Sequence, residues 1–170
     1  FHPQTGDLWF TDNGRDMMGD DLPDDELNHV TKEGQHFGFP YIHNADILDP
    51  EFSHKANSIN NQPPALNLGA HVAALGMEFY QGKQFPASYK NTIFIAEHGS
   101  WNRSSKVGYR IVNVKLDGNQ VANSEVFASG WLQGEQSWGR PAAVLTLNDG
   151  SLLISDDAAN AIYRISYKGK

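Results

Sequence analysis

One pattern recurs along the chain: a turn rich in Gly, Asn or Asp leads into a short apolar strand that stops at an acidic residue. It runs from His2-Pro3-Gln4-Thr5-Gly6 through Leu8-Trp9-Phe10 to Asp12, and again from Leu147-Asn148-Asp149-Gly150 through Leu152-Leu153-Ile154 to Asp156. A looser copy spans Tyr89-Lys90-Asn91 through Ile93-Phe94-Ile95 to Glu97. Each copy is too short to bury its own apolar face, so the copies must pack against one another. Repeated small antiparallel units with acidic strand ends and insertions of variable length are what propeller blades require. A sandwich would explain the strands but not the acid repeated at their ends. The chain therefore reads as all-β, a propeller built of consecutive blades.

Strands are expected near 8–11, 92–96, 109–115, 121–127, 143–147, 151–155 and 161–166, with a further run at Gly76-Met77-Glu78-Phe79-Tyr80. They have strand length, β-branched and aromatic content, and turn residues between them. No amphipathic helix longer than a dozen residues is evident, and Asp24 to Val30 offers room for two helical turns at most. Long insertions are expected near 12–40 and 46–70. Within the second, Asp46 to Leu68 is polar and contains Pro50, Pro63 and Pro64, as in a loop crossing one face.

Composition narrows the ligands. With 13 Lys and Arg against 20 Asp and Glu, the formal charge of −7 disfavours a nucleic-acid surface and suits a neutral substrate or a cation. The absence of Cys excludes disulfides and Cys-based zinc sites. No apolar run approaches the roughly 20 residues that cross a bilayer.

Chemistry concentrates after the strand ends. Asp12-Asn13-Gly14-Arg15-Asp16 is followed by Gly19-Asp20-Asp21-Leu22-Pro23-Asp24-Asp25-Glu26-Leu27-Asn28. An Arg among carboxylates can hold an anion by charge-assisted contacts, and this density of carboxylate oxygen suits a hard cation such as calcium. A solvated acidic loop around a structural Arg is the plainer alternative. The next turn, Gly34-Gln35-His36-Phe37-Gly38-Phe39-Pro40-Tyr41, can present carbonyl oxygens to an ion begun at Glu26, while its rings plug the base of the loop. In Glu97-His98-Gly99-Ser100-Trp101-Asn102-Arg103-Ser104, a Trp and an Arg are placed to stack on and pair with a planar anion. A Ser-His hydrolase is disfavoured there, because no Gly-x-Ser-x-Gly elbow is present. Trp138-Gly139-Arg140-Pro141 supplies a third strand-end Arg. Arg15, Arg103 and Arg140 are expected to converge at one end of the propeller axis, beside Glu26. His29, His36, His43 and His54 read as loop or surface residues, and His71 is not counted with the site.

Taken in order, Gly14-Arg15-Asp16, the Gly-Asp-Asp to Asp-Glu-Leu-Asn run, Gln35-His36-Phe37-Gly38-Phe39-Pro40, Leu75 to Tyr80, Ile95 to Arg103 and Arg140 to Ile165 resemble the glucose/sorbosone dehydrogenase family. The resemblance lies closest to its soluble aldose and sorbosone dehydrogenase branch. It implies a six-bladed propeller, of which this chain supplies roughly the C-terminal half. Such enzymes oxidise a sugar hydroxyl or aldehyde by hydride transfer to pyrroloquinoline quinone (PQQ) held on calcium. By motif position, Arg15, Asp16, Arg103 and Arg140 fall to the quinone, and the Glu26 carboxylate and Phe37 carbonyl to calcium. The family's quinone-binding Lys is absent as such, with Arg103 its nearest substitute. The late Arg-x-Arg-Asp-Val motif is reduced to Arg140-Pro141-Ala142-Ala143-Val144.

The resemblance further implies a catalytic His upstream of Phe1, with the remaining blades in the same missing part. It implies a sugar substrate, a separate electron acceptor, and a periplasmic or secreted location. The alternative is a propeller that keeps the fold as a binding or scaffold module without catalysis.

Overall fold

The computed structural model describes residues 1–169. The chain forms antiparallel sheets that follow one another in sequence. The first joins β1 (Trp9–Asp12), β2 (Asp24–His29) and β5 (Leu66–Ala70) in the order β1-β2-β5, after the hairpin β3 (Ile42–His43) and β4 (Ile47–Leu48) has looped out. The second is the four-stranded meander β6 (Ala74–Phe79), β7 (Ile93–Glu97), β8 (Arg110–Asp117) and β9 (Gln120–Ala128). A small hairpin, β10 (Leu132–Gln133) and β11 (Gln136–Ser137), precedes the third sheet of β12 (Pro141–Thr146), β13 (Leu152–Asp156) and β14 (Ala161–Ile165). Two short 3₁₀ turns, Ser53–Ser58 and Ala87–Tyr89, are the helical segments among the described residues.

Of the repeated strands, β7 and β13 take corresponding places, while β1 is the edge strand of its three-stranded sheet. β7 and β13 are each the second strand of their sheet, flanked by β6 and β12 on one side and by β8 and β14 on the other. β12 packs on β6 and β7, and β6 packs on β1. Adjacent side chains on a strand point to opposite faces, and β7 uses both. Ile93 and Ile95 enter a cluster with Trp9, Leu27, Val72 and Phe79 against the first sheet. Phe94 and Ala96 enter the other cluster, with Tyr80, Ile111, Val144, Leu152 and Ile154 against the third. The middle sheet is thus cemented on both faces, which fixes the order in which the strand ends meet.

One segment departs from the sequence expectation. Asp24 to Val30 does not turn helically: Asp24–His29 is the central strand of the first sheet, paired with β1 and β5. Its residues have poor strand propensity. They are held because β1 and β5 would otherwise each lose a ladder, and because their buried polar side chains find partners. The Asp25 carboxylate accepts hydrogen bonds from the backbone N–H of Gly14, Ala73 and Ala74. A register shift against β5 falls between Asp25 and Glu26. Such irregularities re-aim side chains beside functional sites.

The second and third sheets approach closely at Gly76, where an added Cβ would come within 2.7 Å of the Ala143 Cα. Gly76→Ala is expected to cost about 1–3 kcal/mol by overpacking this contact. Phe94→Ala, in the fully buried core, is expected to cost about 3–5 kcal/mol. Val126→Ala, on the exposed outer strand, should stay within about 0.5 kcal/mol. Urea unfolding midpoints check all three, and equal effects for Phe94 and Val126 would contradict this packing.

Candidate functional site: two adjoining cavities at the acidic strand ends

Asp12, Glu97 and Asp156 end β1, β7 and β13, and the loops that leave the first two of these ends help to build the candidate site. Its main cavity, about 360 Å³, is lined by Asp12 to Asp16, Glu26, Phe37, Phe39, Pro40, His43, Asp49, Glu51 and Phe52. Arg15, Asp16, Glu26 and Phe37, four of the six residues singled out by sequence, therefore share one wall system.

Each part is brought there by local structure. Asp12 lies directly opposite Glu26 across the β1–β2 ladder. Gly14 can lie against β2 because it has no side chain; a Cβ would stand 2.9 Å from Pro23 and 3.1 Å from the Asp24 carbonyl. Gly38, at φ +89°, takes a left-handed conformation, and any Cβ would collide with the Ile42 carbonyl, so only Gly closes the Phe37-to-Pro40 turn over the cavity. The Phe37 ring packs edge-on against Phe10, as a plug should, but the Phe39 ring is largely exposed.

The electrostatics are unbalanced. Burial raises the pKa of Asp12, with His43 offsetting this in part. Burial also raises Glu26, and the Asp12 charge adds to the rise despite hydrogen bonds from Asn28 and Asn44. No Lys or Arg among the described residues relieves this pair. Two facing carboxylates held above their ordinary range are the chemistry of a cation site. The side chains do not form a complete cage: among the described residues no three His, Asp or Glu groups cluster as metal ligands. The remaining oxygens would have to come from carbonyls such as that of Phe37, from water or from a bound group.

Arg15 stands on the opposite part of the wall and is already engaged. Its Nη1 donates to both carboxylate oxygens of Asp49, at 2.8 and 2.9 Å, and its Nη2 reaches Glu51 at 3.2 Å. Asp49 also accepts from His43 Nε2 at 2.9 Å and from the backbone N–H of Glu51 and Phe52. Burial would raise the Asp49 carboxyl, but these hydrogen bonds outweigh it and hold the group well below the usual carboxylate range. His43 is consequently not the loop or surface residue expected from sequence; it lies buried in β3 against Asp49.

A second cavity, about 100 Å³, adjoins the first through Asn13, Gly14 and Asp16 and is completed by Asp25, His71, Ala73, Ser100, Trp101 and Asn102. His71, left out of the site on sequence grounds, lies here, with Nε2 on the Gly19 carbonyl at 2.7 Å.

The three arginines do not converge. Arg103 turns outward to the Asp20 carbonyl and the Asp21 carboxylate, and Arg140 lies behind the strand end on the His98 and Gly99 carbonyls. Neither lines the main cavity. Both arginines satisfy backbone carbonyls of a neighbouring loop, which sequence proximity to a strand end does not reveal. Ser100 takes a hydrogen bond from Val107 N–H while His98 pairs with Asp157, so no Ser-His dyad forms.

The fit to the expected groups is uneven. The Asp12–Glu26 pair and the Phe37 loop suit the ion. Arg15 and the aromatic rings suit one edge of a planar carboxylate, but five acidic side chains line this cavity against Arg15 and His43.

An all-β chain of consecutive blade-like sheets, with a cation-suited cavity at its acidic strand ends, defines the class. Residues 48–168 match the TrAA12-like family model, and the chain belongs to that family. This match agrees with the resemblance to the glucose/sorbosone dehydrogenase family read from the motifs. The chain is 44% identical over 172 residues to an uncharacterized protein of Borreliella burgdorferi, covering 99% of this chain and 45% of that one. The chain thus spans somewhat under half the length of the curated relative it matches. Its fold is similar to a calcium structure of the Trichoderma reesei carbohydrate-active enzyme of family AA12, with TM-score 0.75 and 20% identity over 96% of this chain and 49% of that one. It is also similar to the holo pyranose dehydrogenase PQQ domain of Coprinopsis cinerea, with TM-score 0.68 and 18% identity over 95% and 51%. No helix among the described residues is long and apolar enough to cross a membrane.

Asp49 gives the site a pH signature. Its folded pKa is depressed, so its contribution to stability is complete above the ordinary carboxylate pKa of about 3.9 and is lost as pH falls through the lower folded value. Asp49→Asn is expected to destabilise the protein by roughly 3–5 kcal/mol at neutral pH, because it leaves buried partners unpaired. The loss should shrink on acidification below pH 4. Thermal unfolding from pH 7 to pH 2 measures this, and a loss independent of pH would contradict the assignment.

Proposed function

We propose that the full-length protein is a six-bladed propeller enzyme, with this chain as roughly its C-terminal half, that oxidises a sugar at the main cavity. The bound PQQ supplies the hydride acceptor. The observation that supports this reading best is the pair of half-buried Asp12 and buried Glu26, charged against itself and facing a cavity that also carries Arg15 and the Phe37 turn. The Glu26 carboxylate and Phe37 carbonyl would hold calcium, with Asp12 tuning the charge at that point. Arg15 would hold a quinone carboxylate, and Asp16 would face the same edge.

Arg103 and Arg140 enter as cofactor residues by motif position. The loop that carries Arg103 borders the second cavity through Ser100, Trp101 and Asn102, and Arg140 binds the His98 and Gly99 carbonyls at the base of that loop. The general base is a His upstream of Phe1. The substrate is an aldose or a sorbosone-type aldehyde, electrons leave to a separate acceptor, and the protein works in the periplasm or outside the cell.

One observation favours a second reading, a sugar-binding or scaffold propeller without the quinone. Arg15 already satisfies its charge on Asp49 and Glu51 within an acidic cavity, so a polycarboxylate must compete with both.

Reconstitution of the full-length protein with PQQ and calcium, followed by dye-linked oxidation of aldoses, decides between them. Arg15→Ala is expected to weaken quinone binding by about 10- to 150-fold, the value of one charged hydrogen-bonded contact of about 1.5–3 kcal/mol. Glu26→Gln is expected to raise the calcium concentration needed for half-maximal activity. A wild-type protein that binds no quinone would favour the scaffold; an Arg15→Ala protein that binds it as well as wild type would misplace the site.

A further inference from the structure

The Glu26 carboxylate does not stand free in the main cavity, because both of its oxygens are held. Two donors from one residue close on Oε1: the Asn44 backbone N–H at 2.7 Å and the Asn44 Nδ2 at 3.1 Å. Oε2 takes a single donor, Asn28 Nδ2 at 2.9 Å. Each carboxylate oxygen has two lone-pair directions. Oε1 is therefore filled, and Oε2 keeps one direction open.

Asn44 reaches Glu26 from outside the first sheet, at the start of the turn that joins β3 to β4. It is buried and takes the left-handed conformation, with φ +52°, which Asn adopts more readily than most residues. Each of its polar groups is used. Oδ1 accepts from the Asp24 N–H at 3.0 Å, Nδ2 also donates to the Asp24 carbonyl at 3.1 Å, and the Asn44 carbonyl accepts from Asn61 Nδ2 at 3.0 Å. The two kinds of contact have separable effects. The reciprocal pair with Asp24 docks the hairpin on β2, while the two bonds to Oε1 fix how the Glu26 carboxylate is turned. His43, the residue before Asn44, does the same at the other pole of the cavity by holding Asp49 against Arg15.

We propose that Asn44 is a positioning residue for the cation: by filling Oε1 it locks the Glu26 side chain and leaves Oε2 as the single oxygen offered to calcium. This rests on the reading of Glu26 as a calcium ligand. A carboxylate held in one orientation before binding has less rotamer freedom to lose when the ion arrives. Hydrogen-bond partners of a metal-ligating carboxylate commonly control affinity by about 10- to 100-fold.

The test uses calcium and the full-length protein. Affinity is read by competition with a chelating indicator dye, and coordination by the calcium-minus-apo infrared difference spectrum at saturating calcium. Wild type is expected to show the wide carboxylate splitting of one-oxygen coordination, and Glu26→Gln to lack it. Asn44→Gly keeps the left-handed backbone and its N–H but loses the amide. It is expected to bind calcium about tenfold or more weakly and to narrow the splitting, as Glu26 engages through both oxygens. Asn44→Asp keeps an oxygen for the Asp24 N–H but sets a carboxylate where the amide donated, and it too should lose the wide splitting. Both variants are compared at a temperature where circular dichroism shows them folded. A lower unfolding temperature with wild-type affinity and splitting would make Asn44 merely structural, overturning the inference and leaving the calcium site in place. A wild-type protein that binds no calcium, or whose splitting survives Glu26→Gln, overturns both.

Discussion

The buried carboxylate of Asp25 is the constraint on which both cavities depend. It sits on the central strand of the first sheet and accepts hydrogen bonds from Gly14, in the loop that leaves β1, and from Ala73 and Ala74, where the second sheet begins. One side chain thus ties the acidic loop to its own sheet and that sheet to the next. Burial raises its pKa, and the three N–H donors are what make a carboxylate tolerable there. Because adjacent side chains on a strand face opposite ways, Asp25 supports the second cavity while Glu26 faces the first. The wall they flank, formed by Asn13, Gly14 and Asp16, is common to both.

Charge then divides the labour between the cavities. The first holds a carboxylate pair without a counter-cation and, across from it, an arginine held in a network with Asp49 and His43. The second has carboxylates and amides but no Lys or Arg on its lining. The two cavities meet along one short loop, through Asn13, Gly14 and Asp16.

The parts of this arrangement legible in the sequence were local ones. The turn-strand-acid repeat located β1, β7 and β13, and motif order brought Arg15, Asp16, Glu26 and Phe37 to one place. β2 was not legible as a strand, because Asp-Asp-Glu-Leu-Asn-His has the composition of a solvated loop and becomes a strand only between two neighbours that need its ladder. Asp49 and His43 were missed for a related reason. They reach the cavity from a polar excursion whose path is set by contacts such as Asn44 on Glu26 and Asn61 on the Asn44 carbonyl, not by any local pattern. Arg103 and Arg140 mark the opposite case: strand-end position suggested that they converge with Arg15, whereas each guanidinium closes backbone carbonyls of a neighbouring loop.

The central claim is that the carboxylate pair at the end of β1 and β2 is a cation site at the heart of the first cavity. Its most direct test is an anomalous difference map from crystals of the full-length protein grown or soaked with calcium. The account predicts one strong peak within about 2.3–2.6 Å of the Glu26 carboxylate and the Phe37 carbonyl. A calcium-saturated crystal with no density there, or with its ion bound elsewhere on the strand-end face, would contradict it.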